Sequence, residues 1–393
     1  MTAGMAHHLV SRAIDVTQQH YNKGNDGEQP VFELPHGAAI LILATVVLFL
    51  ATLSMISYTY GDVVATLTMI ETPTATAFKT EFTDSDEIDA PLLSQDQKSE
   101  KAQVVESDLF LVKQKPITSK MRTTIKHLRA QAGPLARFRG LHVSIIYHLL
   151  HGGIVGFISS HVARHPLARP FIAIFASIAL CRLQMTWTHT VISKPSSKSW
   201  FRRIPSRAAV RNILVPTAIF AVAEQATIYV PGALFVLVNQ AYNNEEVHAN
   251  AARTQNSALL LNFLIGLIGI GIFVSVVIPA DVTLKRVQAS MLPEEDESIV
   301  PFDRTFAGKV KPEILGGSGA VSMLDAWKTF DRSARIRLMK LYLKVFLVSV
   351  FTTVMFIMVL VGEVRLIMGD EFKGLAGKAH ESLQQARAGN SMF

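Results

Sequence analysis

The sequence predicts an all-α integral membrane protein with six transmembrane helices arranged as three helical hairpins, and three observations lead to this prediction. First, 49% of the 393 residues are hydrophobic and only 18% are charged, which is more apolar than a typical soluble domain. Second, the stretches 34–61, 140–163 and 254–280 contain no acidic residue, lysine or arginine, and each reaches the roughly 20 residues that cross a bilayer. Third, most of the 38 lysines and arginines lie in the connections after the first, third and fifth apolar stretches.

The six predicted spans, numbered 1 to 6 in chain order, cover residues 36–60, 140–163, 168–190, 208–238, 256–280 and 338–364. The predicted hairpins occupy 36–163, 164–240 and 241–366, the last with a long loop at 282–337, between a polar N-terminal segment with a short helix at 1–35 and a C-terminal tail at 367–393. By the positive-inside tendency, the basic connections lie on the cytosolic or matrix face and both termini lie on the opposite face.

The connection after span 1 changes character along its length. Residues 80–103, TEFTDSDEIDAPLLSQDQKSEKAQ, are polar, acidic and poor in aromatic residues, which predicts a disordered acidic loop at about 80–115. Residues 119–133, SKMRTTIKHLRAQAG, alternate basic and apolar residues at helical spacing. That pattern predicts an amphipathic helix on the membrane surface. A solvated basic helix without lipid contact remains an alternative.

Two odd-numbered spans end in similar sequences. YGDVVATLTM at 60–69 and PADVTLKRVQ at 279–288 both carry Asp-Val shortly after an apolar run. This pattern resembles the mitochondrial carrier family, whose odd helices end in Pro-x-Asp/Glu-x-x-Lys/Arg-x-Lys/Arg. Pro279, Asp281 and Arg286 match the motif, and Asp62 matches its acidic position after span 1. Span 3 ends in LQMTWTH, where the motif is essentially absent.

The even-numbered spans carry further similarities to the same family. AGPLARFRG at 132–140 resembles the motif that leads into an even helix, with Phe138, Arg139 and Gly140 at matching positions. RNILVPTAIFAVAEQ at 211–225 resembles the fourth helix of the carriers, in which an arginine is followed by an acid 13 positions later. Arg211 and Glu224 fall on that spacing.

The resemblance implies a carrier that moves a small, anionic solute across a mitochondrial membrane, with another organelle membrane as an alternative. It implies that Arg211 and Asn212 bind the solute and that Tyr147 and His148 line the cavity. It also implies a gate, formed by Pro279, Asp281, Arg286 and Asp62, in which proline kinks the helix and each aspartate pairs with a base of the next repeat.

One argument for these sites does not depend on the resemblance. A charge at mid-membrane costs at least about 2.5–3.5 kcal/mol unless a cavity or a partner receives it. Arg211 is therefore the first candidate for solute binding and Arg182 in span 3 the second. The alternative is that Arg211 lies at a helix end and extends its charge to the membrane surface.

Other functions find little support in the sequence. His148 and His151 lie one turn apart, but no HExxH pattern or cysteine accompanies them, so we expect neither a metal ion nor a cofactor. We found no pair of nucleophile and base and expect no enzyme. Membrane topology accounts for the net charge of +7 without nucleic acid.

The whole chain also resembles uncharacterised fungal membrane proteins, some labelled "ubiquitin carrier protein". Ubiquitin conjugation needs a reactive cysteine, and a thiolate forms poorly in apolar surroundings. The single cysteine, Cys181, lies inside predicted span 3, so we expect no conjugating activity.

Two alternatives to transport stay open at this stage. The chain could be a carrier-derived scaffold that contacts lipid and binds a protein partner through residues 80–130. It could also be an unrelated six-helix membrane protein.

Overall fold

The computed structural model describes residues 36–72, 75–79, 109–113, 115–161, 168–243, 251–311 and 315–368. The predicted N-terminal segment at 1–35, the acidic stretch at 80–103 and the tail from 369 lie outside the described residues.

The described chain is mostly helical. Five helical stretches are long and apolar enough to cross a membrane, and a sixth span results if a bent pair of helices counts as one. In chain order, the spans are Gly37–Ile70, Ala136–His161, Arg169–Ala179 with Cys181–Ile192, Arg207–Gln240, Leu260–Ser290 and Arg332–Ile367. These helices are consistent with a multi-pass membrane protein, and we keep the numbers 1 to 6 for them.

Spans 1 and 5 continue about three turns beyond their predicted ends. Span 1 was expected to end at 60 and extends to Ile70, while span 5 was expected to end at 280 and extends to Ser290. The loop predicted at 282–337 therefore begins later. Hydropathy misses these ends because charged residues interrupt the apolar runs. The ends are helical because they pack against other helices, with Leu67 and Leu284 completely buried, and such packing stabilises a helix.

All three odd-numbered spans leave regular α-helical geometry partway along their length. Span 1 contains a π-helical segment at Ser57–Val64, and span 5 contains one at Phe273–Val277. Pro279 follows the second segment. Because proline has no N–H and its ring clashes with the carbonyl four residues earlier, the wider π turn accommodates it.

Span 3 was predicted as one helix at 168–190 and is instead broken at Leu180. Its two parts, Arg169–Ala179 and Cys181–Ile192, meet at an angle of 60°. No proline marks this break, and no other pattern in the sequence predicts it.

The connection after span 1 contains a two-stranded antiparallel sheet. Strand β1 is Ala75–Lys79 and strand β2 is Leu109–Lys113, with Ala75 opposite Lys113. Residues 109–113 were expected to be disordered. The acidic composition of 80–103 dominated that prediction, whereas LFLVK is a short apolar run of the kind that pairs in sheets. The expectation of an all-α chain is corrected accordingly.

Side-chain contacts join neighbouring spans at the end where the chain enters span 1. Phe49 of span 1 stacks on Phe356 of span 6 with ring centroids 3.9 Å apart. Thr45 of span 1 donates a hydrogen bond of 2.6 Å to Glu363 of span 6. Spans 2 and 3 meet where His151 Nε2 lies 3.1 Å from Ser177 Oγ.

The C-terminal ends of spans 1, 3 and 5 meet at the opposite end of the bundle, which we call the closed end. Segments Ala65–Ile70, Cys181–Ile192 and Ile278–Ser290 each contact the other two. Their apolar side chains form a large part of the buried core; the completely buried members include Leu67, Ile70, Ile192, Val282, Leu284 and Ala289. Along the rest of the spans, large apolar side chains are exposed, as expected for helices that face lipid; examples are Leu48, Phe157, Phe263 and Phe351.

Two short helices cover the closed end. A surface helix at Met121–Ala132 buries Thr124 and Leu128 and exposes Arg122, Lys126 and Arg129. Glu71 anchors its approach, because its carboxylate accepts hydrogen bonds from the backbone N–H groups of Ile117 at 2.5 Å and Thr118 at 3.2 Å. The second helix, Met323–Lys328, is capped by Ser322, whose hydroxyl accepts from the Asp325 N–H.

Replacing Gly140 by alanine is expected to destabilise the protein by about 1–3 kcal/mol. Gly140 has a φ of +73°, and an added Cβ would lie 3.0 Å from Trp187 and 3.2 Å from Val191. Gly152→Ala in the same span is the control, because a Cβ there meets nothing within 4 Å. Thermal unfolding in detergent measures both. An equal melting temperature for Gly140→Ala and the parent would contradict the close approach.

Candidate functional site: a charged centre above a closed end

Arg286 joins span 1 to span 5 at the closed end. Its Nη1 donates a hydrogen bond of 2.8 Å to the carbonyl of Met69, in the last turn of span 1. Its Nε donates to the Ala326 carbonyl and its Nη2 to Thr329 Oγ1, both at 2.9 Å. The side chain also lies over the ring of Phe306, 4.7 Å from the centroid. The last carbonyls of a helix have no partner within the helix, so Arg286 satisfies one of them in span 1.

The ends of spans 3 and 5 receive similar hydrogen bonds. His189 of span 3 donates from Nε2 to the Gln288 carbonyl of span 5 at 2.8 Å. Arg139, in the first turn of span 2, donates to the carbonyls of Thr190, at 3.1 Å, and Ser193 at the end of span 3. Each odd-numbered span is thus capped by a side chain from another element, and we call this arrangement the capping ring.

Four ionisable side chains from three spans lie above the capping ring, deep within the bundle. We call Asp62, Glu224, Asp281 and Lys285 the charged centre; Asp62 belongs to span 1, Glu224 to span 4, and the other two to span 5. All three carboxylates lie close enough to Lys285 to interact with it electrostatically, and Glu224 also interacts with both aspartates. Glu224 lies near the middle of the span Arg207–Gln240.

Lys285 is held in place at the base of this centre. It is only 8% exposed, and its ammonium donates one hydrogen bond, of 3.2 Å, to Thr188 Oγ1 of span 3. The ammonium also lies over the Trp187 ring, 4.9 Å from the centroid, where the negative face of the ring attracts a cation. Thr188 in turn donates to Gln288 Oε1 at 2.6 Å. Lys285 therefore belongs to both the charged centre and the packed end below it.

Aromatic side chains border the charged centre. The Tyr147 ring lies 6.2 Å from that of Trp187, and Tyr147 is close enough to Glu224 for an electrostatic interaction. Tyr342 of span 6 is similarly close to Asp62 and Asp281. Spans 1 to 6 all contribute a charged or aromatic residue to this region.

The three carboxylates retain accessible surface although protein surrounds them. Each is partly exposed, and none makes a hydrogen bond or a direct ion pair with another described residue. An ionised carboxylate without a partner is unfavourable in an apolar environment. The arrangement therefore suits carboxylates that line a narrow polar space between the spans.

A second charged feature, which we call the seam, joins the connection after span 3 to the connection after span 5. Lys194 pairs with Glu297 at 2.6 Å, Lys198 pairs with Glu295, and Arg203 pairs with Asp296 at 3.0 Å. The Arg203 and Asp296 side chains are only 7% and 12% exposed. The seam is continuous with the core, since the Ile299 N–H donates to the Ile192 carbonyl at 2.8 Å.

The exposed pairs of the seam respond to pH in a defined direction. The hydrogen bond from Lys194 and its positive charge hold the pKa of Glu297 below its ordinary value. A carboxyl with a lowered pKa contributes stability above its unfolded pKa, about 4.3 for glutamate. That contribution is lost as the pH falls through the lowered value. The hydrogen bond with Glu295 raises the pKa of Lys198. The contribution of Lys198 to folding stability is therefore lost only when the pH rises through this raised pKa.

The sequence-predicted solute residues do not come together. Arg211 is exposed, one turn into its span and about 20 Å along the helix from Glu224. Asn212 donates to the Ser318 carbonyl at 2.9 Å, in the connection that covers the closed end. Arg182 donates from Nε and Nη2 to the Pro205 carbonyl at 2.9 and 2.6 Å. These contacts tie connections to spans, and none of the three residues belongs to the charged centre.

The other predicted residues divide between the centre and its surroundings. Asp62 and Asp281 belong to the centre, and Tyr147 borders it. His148 is exposed, with Nδ1 donating to its own helix at the Ser144 carbonyl, 2.8 Å away, and its ring against Trp187 at 5.7 Å.

The predicted gate has a different geometry from the one expected. Arg286 was expected to pair with an aspartate and instead contacts backbone carbonyls at the closed end. Lys285, one residue earlier, faces the aspartates. Successive residues project about 100° apart on a helix, so only one of the two bases can face the centre. The sequence pattern also passed over Trp187 and Tyr342, which carry no motif signal.

Arg286→Gln is expected to reduce the free energy of unfolding by about 2–4 kcal/mol, because a buried residue that is 4% exposed would lose charge-assisted hydrogen bonds to three partners. Arg211→Gln is the matched control and is expected to stay within about 0.5 kcal/mol of the parent, as an exposed substitution does. Denaturant unfolding in detergent measures the difference. Equal effects of the two substitutions would contradict the capping role of Arg286.

Comparisons with known proteins add no identification to this geometry. No family model, no curated protein and no solved structure matches the chain. The relationship to the mitochondrial carriers therefore stays a prediction that rests on the motifs, and function has to be argued from the residues of the site.

Proposed function

We propose that this protein is a membrane transporter that moves a small solute past the charged centre. The observation that carries the proposal is the set of three carboxylates, Asp62, Glu224 and Asp281, that lie deep among the spans with accessible surface and without described partners. Ionisable residues within membrane spans are costly and mark solute or ion pathways. A protein that only needed a stable core would gain by replacing them with apolar residues.

We further propose that the spans form three carrier-like hairpins. Two features support this arrangement: each odd-numbered span departs from α-helical geometry partway along, and the ends of all three converge. A departure of this kind allows a span to lean inward at one end while its other half stays with the outer ring of helices.

In this proposal, the conformation is closed at the capping ring and the solute reaches the centre from the other side. Alternating access then requires the closed end to separate. The capping ring joins spans 1, 3 and 5 directly, and the seam joins the connections after spans 3 and 5. Both would have to open, so the ion pairs that act as a gate would be those of the seam rather than the expected pairs between an aspartate and a base of the next repeat.

The charges of the centre favour a cation over the anionic solute expected from the resemblance. Among the described residues, three carboxylates face a single lysine there, and Arg211 lies well away from them. For the membrane, we retain the mitochondrial assignment that the resemblance implies; colocalisation of a fluorescently tagged chain with organelle markers tests it.

Glu224→Gln is expected to lower the initial rate of solute exchange by about tenfold or more, because it removes a charge that the solute would meet inside the membrane. Purified protein in liposomes, loaded in turn with labelled amines, amino acids, organic acids and nucleotides, gives the rate. Glu294→Gln is the matched control, since Glu294 is an exposed residue of the connection after span 5. If no solute of the panel exchanges, or if Glu224→Gln exchanges as fast as the parent, the proposal fails.

Arg203→Asp is expected to lower the melting temperature, because it leaves the largely buried Asp296 beside a like charge, a loss of about 3–5 kcal/mol by analogy with broken buried pairs. The double variant Arg203→Asp, Asp296→Arg is expected to recover most of that loss. In the transporter, the single variant should also open the closed end more often and change the exchange rate. A double variant as unstable as the single one would contradict the pair as an energetic contact.

A membrane scaffold is the second candidate, and the basic exposed face of Met121–Ala132 favours it. Arg122, Lys126 and Arg129 point away from the core, where they are available to a protein partner or to lipid headgroups. Replacing all three by glutamine separates the two functions. Loss of a co-purifying partner with exchange unchanged would assign this face to a partner, whereas exchange absent from both parent and variant would leave the scaffold as the function.

A further inference from the structure

We infer that the charged centre binds a small organic cation, one that carries an ammonium or a guanidinium group. This inference rests on the proposed function, since it assigns a substrate class to the same site. The solute is assigned a positive charge and a chemical type. Lys285 acts as an internal cation that this solute displaces from the carboxylates.

Among the described residues around the centre, acidic groups outnumber basic groups. The described charged residues that interact there are Asp62, Glu224, Asp281 and Lys285. The tyrosines that border the centre, Tyr147 and Tyr342, add no charge when protonated. Three carboxylates thus outnumber the single ammonium, and an added cation would satisfy acceptors that have no described donor.

The contacts of Lys285 show how a cation is bound in this centre. Its ammonium lies over the Trp187 face, 4.9 Å from the ring centroid, donates one hydrogen bond to Thr188 and is attracted by the carboxylates. Although the residue is more than nine-tenths buried, no further acceptor among the described residues bonds its ammonium. An organic cation can use the same combination of an aromatic face and a carboxylate.

A third observation comes from Gln288, directly below. Gln288 is completely buried, and its amide nitrogen has no partner among the described residues. Its amide oxygen accepts from Thr188, to which Lys285 also donates, so this free donor belongs to the hydrogen-bond chain of the centre. The hydrogen-bond chain at the base of the centre therefore contains a donor without a described acceptor.

The spacing of the carboxylates favours an organic cation over a metal ion. The carboxylates come from three spans, and in the described part of the chain no three histidine, cysteine, aspartate or glutamate residues are grouped closely enough to hold a metal ion. Carboxylates spread around an aromatic wall suit a larger cation whose charge is distributed over several N–H groups, as in guanidinium.

Binding of arginine, agmatine, citrulline and malate to the purified full-length protein tests the inference. Arginine and citrulline have nearly the same shape, but only arginine carries a guanidinium charge. We expect arginine and agmatine to bind, and citrulline to bind at least about tenfold more weakly, because a lost charge-assisted hydrogen bond has an effect of that order. Isothermal titration calorimetry in detergent gives the affinities, and ligand-induced shifts in melting temperature give an independent check.

Two substitutions test the role of each charge. Asp281→Asn is expected to weaken arginine binding by about tenfold, with Glu294→Gln unchanged as the control. Lys285→Met is expected to strengthen arginine binding, because it removes the internal cation that competes for the carboxylates. The melting temperature of each variant without ligand shows whether it is folded, and Lys285→Gln replaces Lys285→Met if the latter is not.

The outcomes separate this inference from the proposed function. Equal binding of citrulline and arginine, or weaker arginine binding by a folded Lys285 variant, overturns the cation assignment. Binding of malate without binding of arginine also overturns the cation assignment and indicates an anion bound by Lys285. Solute exchange in liposomes would still support transport in that case. If arginine binds as expected but no solute exchanges, the site stands and the transport proposal fails.

Discussion

The need to satisfy helix-end carbonyls where three helices converge organises this fold. The ends of spans 1, 3 and 5 are packed against each other, away from water, and their last carbonyls have no partners within their own helices. Arg286, His189 and Arg139 supply donors from neighbouring elements. Because each of these side chains comes from a different part of the chain, their hydrogen bonds link the spans into one closed end.

The charged centre follows from that closed end. Once Arg286 is directed to the end of span 1, the adjacent Lys285 projects to another side of the helix and reaches Thr188, Trp187 and the carboxylates. One helix therefore uses two neighbouring bases for different purposes, Arg286 for packing and Lys285 for contacts with span 3 and the carboxylates. The closed end is closely packed, whereas the three carboxylates above it are partly exposed and have no described hydrogen-bond partner.

Sequence patterns predicted the features that depend on composition over many residues. The apolar stretches were located, although spans 1 and 5 extend about three turns beyond their predicted ends. The surface helix near 119–133 was located within a few residues, and Asp62 and Asp281 were singled out from the end of their spans. The failures concern local breaks and contacts. Leu180 carries no signal for a bend, strand β2 lies beside an acidic stretch that dominated the prediction, and Arg211 looked like a residue inside the membrane although it lies near the start of its helix.

Hydrophobicity along the chain is enough to predict several helices that are apolar enough to cross a membrane, because it sums over 20 or more neighbouring residues and needs no partner. It also predicts that a few charges lie within those helices. Which charges meet depends on how the helices pack. Asp62, Glu224 and Lys285 are separated by many residues along the chain and come together because the breaks in spans 1 and 5 and the convergence of the odd-numbered spans set the rotation of each helix. A rotation of one residue, about 100°, would exchange Lys285 for Arg286, and no pattern along a single helix specifies that angle.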